Sequence, residues 1–270
     1  MKNIKVLILR TAGTNCDQET RIAFELVGAK VKSLHVNDLV IGKNKIFDYQ
    51  IIAFPGGFTY GDDIAAGKIL ANELKMKLKT ELQKFLAKNG LMIGICNGFQ
   101  VLVKMGILPG NDDWQQESTL ACNDSGKFED RWVYLKKTET REQKIENRGE
   151  SKCVWTRGID KVIYLPVAHG EGKFITLNKS VLNRLKDNGQ IVYQYCDKNG
   201  EFAAYPDNPN GSFEHIAGIC DDTGRIFGLM PHPERCVFRT QHPRWTREED
   251  SQVPDGLNIF KNAVDYLKKA

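Results

Sequence analysis

The sequence has no Cys-x-x-Cys pair, no long apolar run and no marked excess of either charge. Its seven cysteines, Cys16, Cys96, Cys122, Cys153, Cys196, Cys220 and Cys236, are scattered and odd in number. That argues against a disulfide framework and against a structural zinc site, so no metal is expected. A reduced, cytoplasmic protein is expected, in which at most one or two thiols have a role. The apolar run at residues 6–9 stops at Arg10. It is too short for a signal-peptide core or a membrane span. Lys and Arg number 38 against 34 Asp and Glu. That balance gives no footprint for nucleic acid. Residues 131–161 are mildly basic, but their signs interleave as on a solvated surface. With 41% hydrophobic and 27% charged residues, the chain is neither disordered, collagen-like nor a coiled coil.

What is present is an alternation of short apolar runs and amphipathic stretches. Residues 4–9, 31–36, 49–54 and 91–95 read as buried strands. A helix is expected from about Asp17 to Gly28, capped by Thr14 or Asn15, and another at 97–105 ended by Gly106. Residues 64–88 read as one long amphipathic helical stretch. Crossover connections of this kind predict an α/β fold with a mostly parallel central sheet flanked by helices. Residues 111–160 lose the rhythm and read as an insertion of antiparallel strands and loops. Further strands are expected at 161–167, 191–195, 216–220 and 225–229, and helices at 178–186 and 256–268. Without repeats or a linker, residues 1–270 read as a single domain.

The richest chemistry lies in Gly94-Ile95-Cys96-Asn97-Gly98. A strand runs into a helix with a cysteine at the joint and glycine two residues to either side. This is the cysteine form of the nucleophile elbow. Its sharp turn leaves room only for glycine at the flanks. A helix N-terminus favours thiolate over thiol, and the Asn97 N–H is free to hold a developing oxyanion. A buried structural cysteine is the plainer alternative.

Such a nucleophile needs a base and an orienter. In Met230-Pro231-His232-Pro233-Glu234 the prolines favour extended backbone, so His232 and Glu234 point to the same side. His169, in the loop Ala168-His169-Gly170-Glu171-Gly172, is the rival base, and Cys16 the rival thiol. Pro55-Gly56-Gly57-Phe58 follows a buried strand, and Gly57 N–H is the candidate second oxyanion donor, against a plain turn. Residues 61–68 are not a phosphate loop, because Ile69 stands where Ser or Thr is needed.

Together these motifs resemble the class I glutamine amidotransferases, whose glutaminase domains carry a Cys–His–Glu triad on a flavodoxin-like sheet. Within that class the likeness is to the glutaminase subunits of phosphoribosylformylglycinamidine synthases. It rests on Gly13-Thr14-Asn15-Cys16-Asp17, residues 55–62, the elbow, the His-Gly-Glu-Gly loop, residues 208–212 and residues 230–235. Two departures are Ala12, where a proline is usual, and extra length in 237–254 and 111–160.

The resemblance implies Cys96 as nucleophile, His232 as acid and base, and Glu234 as orienter. It makes Gly57 and Asn97 the oxyanion donors and Gln100 a contact to the α-substituents of glutamine. It implies ammonia delivery to a large synthetase subunit in purine biosynthesis, with a small accessory subunit as a further partner. No cofactor is expected in this chain; ATP and Mg are expected on the partner subunit. Three other readings stay open: a different amidotransferase's glutaminase, a cysteine hydrolase or peptidase on the same fold, and a noncatalytic module.

Overall fold

In the computed structural model the described residues are 3–111, 113–138, 151–159, 162–247 and 254–269. The parts of the two extra-length segments at 112, 139–150, 160 and 248–253 lie outside them.

The first half builds the parallel part of the sheet. Strands β1 (Lys5–Arg10), β2 (Lys30–His35), β3 (Ile51–Phe54) and β4 (Leu91–Ile95) alternate with helices α1 (Asp17–Leu26), α2 (Val36–Val40), α3 (Lys68–Lys77) and α4 (Lys79–Ala87). Helix α5 (Asn97–Met105) follows β4 directly. The second half gives β5 (Ser118–Ala121), β6 (Glu129–Lys137), β7 (Ile163–His169), β8 (Lys173–Thr176), α6 (Lys179–Asp187), β9 (Ile191–Cys196), β10 (Ile216–Cys220), β11 (Ile226–Leu229) and α7 (Leu257–Lys269).

Nine strands form one sheet in the order β2-β1-β3-β4-β11-β10-β9-β6-β7, and β5 pairs with β8 apart from it. From β2 to β11 all neighbours are parallel; from β11 to β7 all are antiparallel. Strands β1, β3, β4 and β11 are apolar and buried along nearly their whole length, as strands covered on both faces must be. The chain leaves β1 one way to reach β2 and leaves β3 the other way to reach β4. Right-handed crossovers then put α1 and α3–α4 on opposite faces. The order reverses at β1, and ligands in such sheets bind beyond the carboxyl ends of strands at that switch. The loops after β1, β3, β4 and β11 all open there.

Two local expectations are corrected. The stretch 64–88 is not one helix: Leu78 leaves helical geometry (φ −129°, ψ 8°) and separates α3 from α4, seating its own side chain in the core. Helix α1 is capped by Cys16, not by Thr14 or Asn15. The Thr14 hydroxyl accepts instead from the Thr11 N–H, folding the loop after β1 back on itself.

The antiparallel half curls over the switch point. Strand β7 is four strands from β11, about 19 Å away in a flat sheet. Yet the His232 N–H, just past β11, donates to Pro166 O of β7 at 2.8 Å. The curl carries the end of β7 over the carboxyl ends of the parallel strands. It also fits the reading of 111–160 as partly antiparallel strand, since β6 is the bridge between β9 and β7.

Candidate active site

Cys96 sits at the joint of β4 and α5 with φ 51° and ψ −107°. A side chain there costs about 1–3 kcal/mol and persists only where its surroundings enforce it. The flanking glycines show the enforcement. A Cβ on Gly98 would meet Phe54 O at 1.9 Å, and one on Gly94 would meet Gly98 O at 2.6 Å. Cys96 N–H donates to Leu229 O, tying the elbow to β11. Its sulfur lies 3.6 Å from Ala168 O at the end of β7.

His232 and Glu234 lie beyond β11 on the same rim, 2% and 0% exposed. Glu234 Oε1 lies 2.6 Å from His232 Nδ1. The ring's Nε2 makes no hydrogen bond with good geometry, which leaves it free for Cys96 or a substrate atom. Burial works against charge on this ring, but the Glu234 carboxylate and Cys96 outweigh it. The pKa therefore stands well above the ordinary histidine value.

Gly57 has φ +147°, and a Cβ on it would meet Gly13 O at 2.5 Å. It forms an isolated antiparallel bridge with Thr14. The hydrogen bonds of that bridge come from the flanking residues: Asn15 N–H to Gly56 O and Phe58 N–H to Gly13 O. In such a pair the central N–H groups point away from each other, so Gly57 N–H faces away from the 13–16 loop. Gly56 has a different reason to be glycine: a Cβ there would meet the His232 ring at 2.8 Å.

Asn97 and Gln100 are brought together. Asn97 Nδ2 donates to Gln100 Oε1 (3.0 Å) and to Asp62 Oδ1 (3.1 Å). Gln100 Nε2 donates to Glu171 O (2.5 Å). Gln100 is thus engaged at both ends of its amide, and it fixes the His-Gly-Glu-Gly loop to α5. Of the two further members of this cluster, Asp62 stands in the 55–62 stretch already singled out, and Lys104 escaped sequence reasoning. Lys104, buried in α5, donates to Ala66 O (2.6 Å) and lies 3.5 Å from Glu171 Oε2. Burial pushes its pKa down against the pull of Glu171. Asp62 is pushed up by burial, opposed by its bonds from Gly67 and Asn97. A lone lysine in the otherwise apolar run 101–105 was the available signal.

His169 is not placed as a base. It is 2% exposed, its Nδ1 lies 3.1 Å from Asn123 Oδ1 and its Nε2 3.5 Å from Asn210 Nδ2. Burial, with the nearby charge of His232, lowers its pKa to about 3. It stays neutral and packs the end of β7. Cys16 lies on the Nδ1 side of His232, its sulfur 3.9 Å from that nitrogen. Cys16, His232 and Glu234 offer ligand atoms within 4.8 Å of one another. Two features fit a metal poorly: Nδ1 is taken by Glu234, and Arg235 Nη2 donates to Cys16 Sγ at 3.1 Å.

A cysteine on a strained strand-to-helix turn, beside a buried His–Glu pair at the carboxyl ends of a doubly wound sheet, is the arrangement that cysteine-nucleophile acyl transfer requires. Residues 3–267 match the CobB/CobQ-like glutamine amidotransferase domain, and the chain belongs to that family. It is 50% identical to the phosphoribosylformylglycinamidine synthase subunit PurQ of Dehalococcoides mccartyi, over 100% of both chains. It is 42% identical to the protein of the same name from Archaeoglobus fulgidus, over 99% of this chain and 98% of that one. Among solved structures it resembles a chain of PurLQS from Thermotoga maritima, with TM-score 0.72, 28% identity, and 98% and 100% coverage.

Proposed function

We propose that this chain is the glutaminase subunit of a phosphoribosylformylglycinamidine synthase in purine biosynthesis, read as one glutaminase domain acting in the cytoplasm. The observation that carries this is full-length identity of 50% to a relative of that name, in a chain with a cysteine elbow facing a His–Glu pair. Likeness to a chain of PurLQS supports partnership with a large synthetase subunit and a small accessory subunit. Seven free thiols fit a reducing compartment. Among the described residues no helix is long and apolar enough to cross a membrane.

The chemistry follows from the positions. Cys96 gives its proton to His232, and its sulfur attacks the side-chain carbonyl carbon of glutamine. The oxyanion forms between the N–H groups of Gly57 and Asn97, donors fixed before reaction begins. The imidazolium, sustained by Glu234, gives its proton to the leaving nitrogen, and ammonia departs from a glutamyl thioester. His232 then takes a proton from water, which attacks the thioester; glutamate leaves and the sulfur is freed. Gln100, expected to contact the α-substituents, has both ends of its amide engaged by Asn97 and Glu171, so its part is to hold the 169–172 loop against α5. Ammonia passes to the synthetase subunit, where ATP and Mg act.

The test is glutamine hydrolysis by the chain alone and with its synthetase partner plus the formylglycinamide ribonucleotide. Glutamate release coupled to amidine formation is expected. Peptide cleavage with no glutamine hydrolysis in any assembly would overturn the reading.

A further inference from the structure

Cys16 has no step in this chemistry, yet its surroundings are unusually specific. The residue is 1% exposed and caps α1. Its sulfur lies 3.1 Å from Asn15 Oδ1, accepts from Arg235 Nη2 at 3.1 Å and stands 3.9 Å from His232 Nδ1. The would-be Cβ of Gly56 is 3.1 Å from that sulfur and 2.8 Å from His232 Cε1, so the Gly56 backbone and Cys16 share one edge of the imidazole.

A second observation stands beside this one. Glu234 Oε2 is buried and has no hydrogen-bond partner. A half-vacant buried carboxylate is costly. A strong donor is at hand to relieve it: Arg235 is the next residue, and the charge of Glu234 acts on it. A guanidinium normally seeks a carboxylate and grips it with two N–H groups. Here it is bonded to a sulfur, a much weaker acceptor.

We propose that Cys16 is a positioning residue of the triad: its sulfur holds the Arg235 guanidinium off Glu234, so that this carboxylate serves His232 alone. An aspartate at position 16 would compete for Nδ1, and alanine would let Arg235 go. A thiol does neither, provided it stays neutral. Burial keeps it so, raising its pKa against the opposing effects of His232 and Arg235. The titratable groups acting on or coupled to His232 are Glu234 from its own loop, Cys16 from the start of α1, Cys96 from the elbow and His169 from β7; Arg235 reaches it through Cys16 and Glu234. Of these, Arg235 is the one whose hydrogen bond ends on Cys16, and the carboxylates acting on it are Glu234 and then Glu19.

This rests on the glutaminase reading. The experiment is a double-variant cycle in the assembled complex, with kcat, KM and the alkaline limb of the pH profile measured. A second readout, the pH dependence of Cys96 alkylation by iodoacetamide, needs no glutamine. Cys16→Ala should cut kcat roughly tenfold with KM little changed. It should move the alkaline limb down by about one pH unit, because a shared carboxylate supports the imidazolium less. Cys16→Ser should recover part of both. In an Arg235→Met background, Cys16→Ala should add less than about twofold, since the competing donor is gone.

Additive losses with an unmoved limb would overturn the proposal and leave Cys16 a packing residue. If Cys16→Ala does not assemble, Cys16→Ser and Arg235→Met complete the same cycle, with the same two outcomes. A wild-type complex that never hydrolyses glutamine would overturn the functional reading instead, and the alkylation profiles would still decide the role of Cys16.

Discussion

Two buried cysteines stand at the starts of two helices, and both lie beside His232. Cys96 is held at φ 51° between glycines that no other residue could replace without collision. Cys16 has an unstrained φ of −98°. Cys96 acts on a ring whose Nε2 has no hydrogen-bond partner; Cys16 lies on the Nδ1 side, already taken by Glu234. The sulfur of Cys16 is occupied by Arg235 and Asn15. On the proposed function, a helix N-terminus is therefore insufficient to make a nucleophile, and backbone strain at the sulfur with an unpaired nitrogen on the base makes the difference.

The largest effect should fall on the first of the two. Cys96→Ala should lower glutaminase activity by at least about 10⁴-fold, because the covalent step is lost. Cys16→Ser should keep thioester formation and lose far less. A glutamine-analogue electrophile, mapped by peptide mass, should modify Cys96; label on Cys16 alone would reverse the comparison. Next comes the frame of the elbow. In Gly98→Ala the new methyl would lie 1.9 Å from Phe54 O. The elbow must open, costing about 3 kcal/mol by thermal unfolding and roughly 100-fold in kcat. Wild-type kinetics in this variant would show that the strain at Cys96 is incidental.

The contrast also explains what could be read from the sequence. The parallel half was legible because its strands are short apolar runs closed by glycine turns, as in 51–57 and 91–98. The elbow and the His-x-Glu segment were legible because each is a local pattern with a local cause. The break at Leu78 was not, since no Gly or Pro marks it and only the core contact of that side chain decides it. Nor was the Cys16–Arg235 contact, which joins residues 219 positions apart. The curl of the antiparallel half, which sets His232 against Pro166, likewise has no local signature. Sequence patterns suggested the chemistry; long-range packing gives the two thiols and the two histidines their different surroundings.

The intermediate effect concerns the carboxylate that separates the two sides of the ring. Glu234→Gln removes the charge that holds the His232 pKa up. A protonated ring is then lost at lower pH, so the alkaline limb of kcat should move down, and kcat at its optimum should fall roughly 100-fold. Measured together with Cys16→Ala, the two limbs should move in the same direction, with Glu234→Gln moving further. Opposite directions would mean that Cys16 acts on the base by some route other than Glu234.

The smallest effect separates the two histidines by stability instead of rate. His169 has a pKa lowered to about 3, against about 6.5 for an exposed ring. Between those values the unfolded chain binds a proton that the folded chain refuses. Stability from this group is complete above pH 6.5 and falls as pH drops, by about 1.4 kcal/mol per unit, until about pH 3. His232 has the opposite sign: its raised pKa contributes stability at low pH that is lost as pH rises through the folded value. Replacing His169 with Asn should therefore flatten the acid side of the unfolding midpoint against pH and leave the alkaline limb of kcat in place. An alkaline limb that moved with His169 would make it a partner in proton transfer, and the two histidines would no longer be distinguished by their hydrogen-bond partners.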